Sequence, residues 1–167
     1  MKRLVYGIII TLTFFVCAPV GSAAILAEDV AINGIHIKMS SEEVKNICGA
    51  PSRLENEASW FYGKNDEMNI RFYYQAEKPR VQSVLLKMDN GMTTPSGIRV
   101  GSLESDVLQI HGEPDNEEMP DPIFAGRYGT DYDYILWYYR TDFQGEGLCF
   151  GIKDGVVVFI ECTKVVR

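Results

Sequence analysis

Only two histidines, His36 and His111, and four cysteines occur in the 167 residues, and none falls into a spacing that reactive chemistry requires. There is no CxxC, no HExxH, no GxSxG elbow and no P-loop. The local signatures of zinc hydrolysis, acyl transfer and nucleotide binding are therefore missing. A zinc site would have to gather single His and Cys residues from distant segments. Basic residues are also scarce, 16 Lys plus Arg against 23 Asp plus Glu, for a formal net charge of −7. That balance argues against nucleic acid, whose phosphates demand a basic surface. It supplies no polybasic patch for an anionic membrane either. The longest apolar run, Leu4 to Val16, falls short of the roughly 20 residues of a membrane-spanning helix.

That run reads instead as a secretory leader. Lys2 and Arg3 form its positive start, and Pro19, Gly21, Ser22, Ala23 and Ala24 supply small residues suited to cleavage. Residues 1–24 are the expected signal peptide, with cleavage after Ala23 or Ala24 and Ala27 as the fallback. Export to the periplasm, the cell envelope or the medium follows, with no transmembrane segment after cleavage. Lipidation at Cys17 is less favoured, because Phe14-Phe15-Val16 fits a lipobox poorly. With Lys2 and Arg3 removed, 14 basic residues face 23 acidic ones, a net of about −9. Three cysteines remain, Cys48, Cys149 and Cys162, so one disulfide at most is expected. Across a two-residue Asp154-Gly155 turn, Cys149 would face Ile160 and Cys162 would be its diagonal neighbour on the same face. A strained bridge and two buried thiols both remain open on that geometry.

The sequence also repeats itself. Residues 35–51 align without a gap on residues 98–114, keeping Ile35/Ile98, Val44/Val107, Ile47/Ile110, Gly49/Gly112 and Pro51/Pro114. Further on, Trp60-Phe61-Tyr62 resembles Trp137-Tyr138-Tyr139 at a larger offset. Two units are expected, residues 32–88 and 95–164. Each opens with a short extended stretch and a helix. Ser40-Ser41-Glu42-Glu43 has the form of a capping box, and Ser102 is the expected N-cap of the second helix. Val44 with Ile47, and Val107 with Ile110, would form the buried stripe. Gly49 and Gly112 suit a helix C-cap, and Pro51 and Pro114 stop the helix from resuming.

Strands are expected at Trp60 to Tyr62, Met68 to Tyr74 and Val81 to Met88, with Lys78-Pro79 as a turn. In the second unit they fall at Tyr132 to Tyr139, Leu148 to Ile152 and Val156 to Thr163. Alternation along Met68 to Tyr74 has the period of a half-buried strand, and Asp154-Gly155 is a hairpin signal. The fold class is α+β: two tandem repeats, each a short helix packed on one face of an antiparallel three- or four-stranded sheet. Residues 113–130 form a polar insertion in the second unit, a length often associated with function.

The run Gly101-Ser102-Leu103-Glu104-Ser105-Asp106-Val107, closing at Gly112-Glu113-Pro114 and followed by Tyr-rich strands, resembles the SmpA/OmlA (BamE-like) superfamily. In tandem it is similar to the arrangement of beta-lactamase inhibitory proteins. The first copy departs from the motif, with Lys38 and Met39 where Gly101 and Ser102 stand. The resemblance implies helices on one side of an antiparallel sheet, with the other side open to a protein partner. It does not say which partner.

Aromatics carry the remaining functional signal. Trp60 and Tyr62, with Trp137 and Tyr139, are expected to share one face, joined by Arg71 and Tyr73 from the polar parity of a strand whose Ile70 and Phe72 claim the core. Trp, Tyr and Arg are the types enriched in binding hot spots. The sequence thus points to a non-enzymatic protein-binding module, an inhibitor, adaptor or assembly factor, needing no cofactor. The alternative is a small exported hydrolase using carboxylates of the 113–130 insertion. A Cys48–His111 nucleophile pair would need the two units to bring these helix ends together, and calcium held by Asp115 to Glu118 or by Asp131 and Asp133 lacks the spacing of a calcium loop.

Overall fold

Both helices arise where the local chemistry places them. In the computed structural model, which describes residues 25–75, 78–140 and 145–164, α1 spans Ser41–Cys48 and α2 spans Glu104–His111. The expected leader, residues 1–24, lies outside the described residues. Ser40 caps α1 with a complete capping box, its Oγ accepting the Glu43 N–H while Glu43 accepts the Ser40 N–H at 2.7 Å. In α2 the cap falls one residue after the expected Ser102. Leu103 is the N-cap, and Asp106 accepts its N–H at 3.2 Å, the half of a box that a leucine permits. Ser102 Oγ instead accepts the Arg99 N–H. Both helices end at a glycine with positive φ, 76° at Gly49 and 73° at Gly112. Each donates back into its helix, to the carbonyls of Lys45 and Leu108.

The inward stripe is narrower than the apolar pattern suggests. Val44 and Val107 are fully buried, but Ile47 and Ile110 are 41% and 42% exposed. An eight-residue helix lying flat on a sheet seats positions four apart, so the second inward place falls to Cys48 and His111. Cys48 packs partly against the core and His111 is buried in it.

The rest is strand. A short hairpin pairs β1 (Ala31–Ile32) with β2 (Ile35–His36) around Asn33-Gly34, both in the left-handed region. The main sheet has eight antiparallel strands. β3 (Arg53–Asn56), β4 (Ser59–Tyr62), β5 (Met68–Gln75) and β6 (Lys78–Leu86) follow α1. β7 (Asn116–Glu118), β8 (Tyr134–Tyr139), β9 (Glu146–Lys153) and β10 (Val156–Lys164) follow α2. Their spatial order is β3-β4-β5-β6-β10-β9-β8-β7, so two meanders join through the β6–β10 pair into one continuous sheet. Lys78 and Pro79 belong to β6, pairing with Gln75 and Tyr74, rather than forming the turn. Among the described residues the fold class is α+β, with this large antiparallel sheet, the small one and three short helices. No helix among the described residues is long and apolar enough to cross a membrane.

One face of the sheet carries the helices and the main core, including Ile70, Phe72, Val84, Leu136, Phe150 and Ile160. His111 sits within it, its ring 5.3 Å from that of Tyr138 and 5.7 Å from that of Phe150, with Nε2 3.1 Å from Ser96 Oγ. Burial holds the imidazole below its ordinary range, with Asp29 pulling weakly the other way. The unfolded chain takes up this proton near pH 6.5 and the folded one only at lower pH. Stability should therefore decline as pH falls from about 6.5, and His111→Gln should flatten that slope. Denaturant melts at pH 7.5 and 5.5 check this, and an unchanged slope in the variant would refute it.

Cys149 and Cys162 lie on opposite faces. A bulge between Val157 and Phe159 shifts the β9–β10 register, so Cys149 faces Glu161 rather than Ile160. Cys162 points to the helix side and Cys149 away from it, and both are free thiols.

Candidate binding groove

The sheet face away from the helices is only partly covered. Its cover is the insertion, which forms β7, a 3-10 turn at Pro122–Phe124 and α3 (Ala125–Tyr128). Asp121 starts this lobe by accepting the Ile123 N–H at 2.9 Å. Arg127 then reaches down to Glu161 on β10, whose side chain is wholly buried. The guanidinium contacts both carboxylate oxygens and donates to Ser83 Oγ at 2.9 Å. Tyr128 OH donates to Glu161 Oε2 at 2.7 Å. Burial raises the Tyr128 hydroxyl well above its ordinary value, so it stays a proton donor. The Tyr128 ring stacks on Phe159 at 4.6 Å, and Tyr132 meets Phe159 edge-on at 5.4 Å. Gly151 makes this stack possible, because a Cβ there would overlap the Phe159 ring.

Between the lobe and the bare part of the face lies a groove of about 730 Å³. Arg71, Ser83 and Thr163 lie along its floor, Trp137 and Tyr139 stand at one end, and Ile123 and Phe124 line it from the lobe. Arg71, Ser83, Thr163, Gly147 and Tyr139 are successive partners across five strands. At about 4.8 Å per strand, Arg71 and Tyr139 stand roughly 19 Å apart in one row. Trp137 is buried, stacks on Tyr139 with centroids 6.0 Å apart, and donates its indole N–H to Glu118 at 2.8 Å.

Three of the six residues expected to bind, Arg71, Trp137 and Tyr139, thus come together at the groove. Tyr73 is half-buried on the same face outside the groove lining, with the Lys164 ammonium 5.4 Å from its ring centroid. Trp60 and Tyr62 do not join them. They belong to the helix-side core, Trp60 packed on Phe72 at 4.5 Å with Lys45 5.1 Å from its ring. The resemblance of Trp60-Phe61-Tyr62 to Trp137-Tyr138-Tyr139 is one residue out of step in space. Phe61 O accepts from Ser52 N as Trp137 O accepts from Asp115 N, both at 2.9 Å. Tyr62 OH donates to the Gly49 carbonyl as Tyr138 OH donates to that of Gly112. The partner of Trp137 is therefore Phe61, and a one-residue slip turns every side chain to the other face.

Carboxylates of the insertion serve the backbone and the lobe. Asp115 accepts the Tyr139 N–H at 2.7 Å, Glu118 holds Trp137 and Asp121 caps the 3-10 turn. Asp131 pairs with Lys153, and Asp133 accepts the Asp154 N–H at 2.8 Å. Among the described residues no cluster of three or more His, Cys, Asp or Glu could hold a metal ion. Burial pushes the thiols of Cys48, Cys149 and Cys162 upward, the last to about 12, opposite to the shift that activates a nucleophile. The exposed apolar rim at Ile123 and Phe124 was not foreseen, and only its place in a long insertion hinted at it. No protein-family model matches the chain, and no curated protein sequence matches it either.

Proposed function

We propose that this chain is an exported, non-enzymatic protein-binding module that takes its partner into the groove between the insertion lobe and the sheet face opposite α1 and α2. The observation that carries the reading is the groove itself. A 730 Å³ concavity joins an exposed arginine and a stacked Trp–Tyr pair to an apolar rim, of which Ile123 is 78% exposed. Such a mixture of aromatic, apolar and guanidinium groups is what buried contact with another protein uses. An inhibitor, adaptor or envelope assembly factor would work this way, without a cofactor.

The same reading takes residues 32–88 and 95–164 as tandem copies of an SmpA/OmlA-like unit, in an arrangement similar to beta-lactamase inhibitory proteins. It is supported by the shared order of a helix and then four strands, α1-β3-β4-β5-β6 and α2-β7-β8-β9-β10, the second interrupted after β7 by the 3-10 turn and α3. The paired glycine stops and the two tyrosines bonded to them support it as well. Export rests on the leader pattern of residues 1–24. The hydrolase alternative is weaker, because Glu118 is the one insertion carboxylate in the groove lining and it is occupied by Trp137.

Arg71→Ala and Tyr73→Ala, assayed against partners captured from the native envelope, test the face. Loss of a true anchor should weaken binding by about 2 kcal/mol or more. Stability should move by no more than about 0.5 kcal/mol, since Arg71 is exposed and Tyr73 lies at the margin. Stable variants that bind as before would sink the proposal.

A further inference from the structure

We infer that the groove receives an acidic segment of its protein partner, with carboxylates laid over Arg71 and apolar or aromatic side chains under the lobe. The inference rests on the binding face proposed above and adds the chemistry of what fills it. Its ground is a local reversal of charge. The chain as a whole carries −7, yet this face gathers Arg71, Lys87 and Lys164 around the neutral Arg127–Glu161 pair. Lys87 lies near both guanidinium groups: burial, then Arg127 and Arg71, hold its ammonium below the ordinary value, with Asp66 pulling the other way. Like charges kept this close favour an anionic partner that relieves their repulsion.

The acids on the same face do little to cancel them. Glu161 is spent on Arg127, which it neutralises, and Glu118 accepts the Trp137 indole. Asp66 pairs with Arg53, and Glu55 stands on the outer side of Arg71 in a shallow neighbouring hollow. The Arg71 backbone belongs to the ladder between β4 and β6, while its side chain is exposed and lines the groove without a side-chain hydrogen bond or ion pair to a described residue. A guanidinium in that position presents its full donor fork to a carboxylate. The apolar half of the recognition comes from Ile123 and Phe124, which overhang the floor with exposures of 78% and 37%. That rim suits protein side chains. A nucleic acid would meet an acidic molecule around a small basic patch.

The test is selection of random seven-residue peptides, displayed on phage, against the purified exported protein. Enriched peptides should combine Asp or Glu with aromatic or branched apolar residues. As synthetic peptides they should lose more than about tenfold in affinity on Arg71→Glu, and they should bind more weakly at high salt. Lys164→Glu gives the same reading at a second position should Arg71→Glu fold poorly, which a thermal melt shows. Neutral or basic peptides that compete with one another, and weaken when Thr163→Trp fills the groove, would overturn the acidic assignment while leaving the binding face standing. Peptides indifferent to both Arg71→Glu and Thr163→Trp, or no enrichment at all, would count against inference and face together. A single-stranded oligonucleotide binding with the same Arg71 dependence would overturn the protein assignment.

Discussion

Arg127→Met is expected to destabilise the protein by about 3–5 kcal/mol, because it strands the Glu161 carboxylate in the middle of the sheet. Glu161 is fully buried on β10, and its oxygens are met by Arg127 and Tyr128. Without the guanidinium, one hydroxyl remains to hold a full charge in a site sealed by Phe159 and the lobe. For a chain of this size the midpoint of thermal unfolding should fall by roughly 10–20 °C. The double variant Arg127→Met/Glu161→Leu removes both charges and should recover most of the loss, as buried ion pairs often tolerate apolar replacement. Denaturant melts of the single and double variants measure this. If Arg127→Met unfolds like the parent, the pair does not hold the lobe, and the stack of Tyr128 on Phe159 must do so alone.

What could be read from the sequence were features fixed within a few residues of each other. The capping box Ser40/Glu43, the glycine stops at 49 and 112 and the Asp154-Gly155 turn all depend on short-range geometry, and all stand where expected. Even the cap of α2 was available. The ungapped alignment sets Leu103 on Ser40 and Asp106 on Glu43, and a preference for serine at the N-cap hid it. The Asn33-Gly34 signal was likewise present and overlooked.

Features set by tertiary register were not legible. β3 and β7 are short edge strands of exposed residues, Arg-Leu-Glu-Asn and Asn-Glu-Glu, without the alternation that marks a half-buried strand. The bulge before Phe159 has no local signature in a run of valines, yet it decides which way Cys149 and Cys162 face. Arg71 lies on the face opposite α1 and α2 as expected, because Ile70 and Phe72 on its own strand claim the core. Trp60 and Tyr62 were misplaced because their assignment came from matching Trp-aromatic-aromatic triplets. Similarity of residue type carries no information about a one-residue offset. That an insertion would fold back over part of this face depends on Arg127 meeting Glu161 across 34 residues of chain, which no local pattern announces.

The two tryptophans should therefore respond to truncation in different ways. Trp60→Ala removes a buried ring wedged between Phe72 and the Lys45 stem on the helix side, and should cost about 3–5 kcal/mol of folding stability. Binding by the fraction that remains folded should be unchanged, because the ring is on the other face of the sheet from the groove. Trp137→Ala should lose stability as well, since Trp137 is only 9% exposed. It should also weaken the folded fraction's binding by about 2 kcal/mol or more, because Tyr139 loses the ring it stacks on and one wall of the groove opens. Trp137→Phe separates the two contributions of this side chain: it keeps an aromatic wall while removing the N–H that Glu118 accepts. Glu118 is half-exposed and can turn to water, so this variant should fold nearly as well as the parent. The measurement pairs denaturant melts with binding titrations corrected for the unfolded fraction. Equal binding losses in Trp60→Ala and Trp137→Ala would mean that the sheet face opposite α1 and α2 is not the binding surface. Loss in Trp137→Ala alone would place the partner against the aromatic end of the groove, and retention in Trp137→Phe would assign that contact to the ring and not to its hydrogen bond.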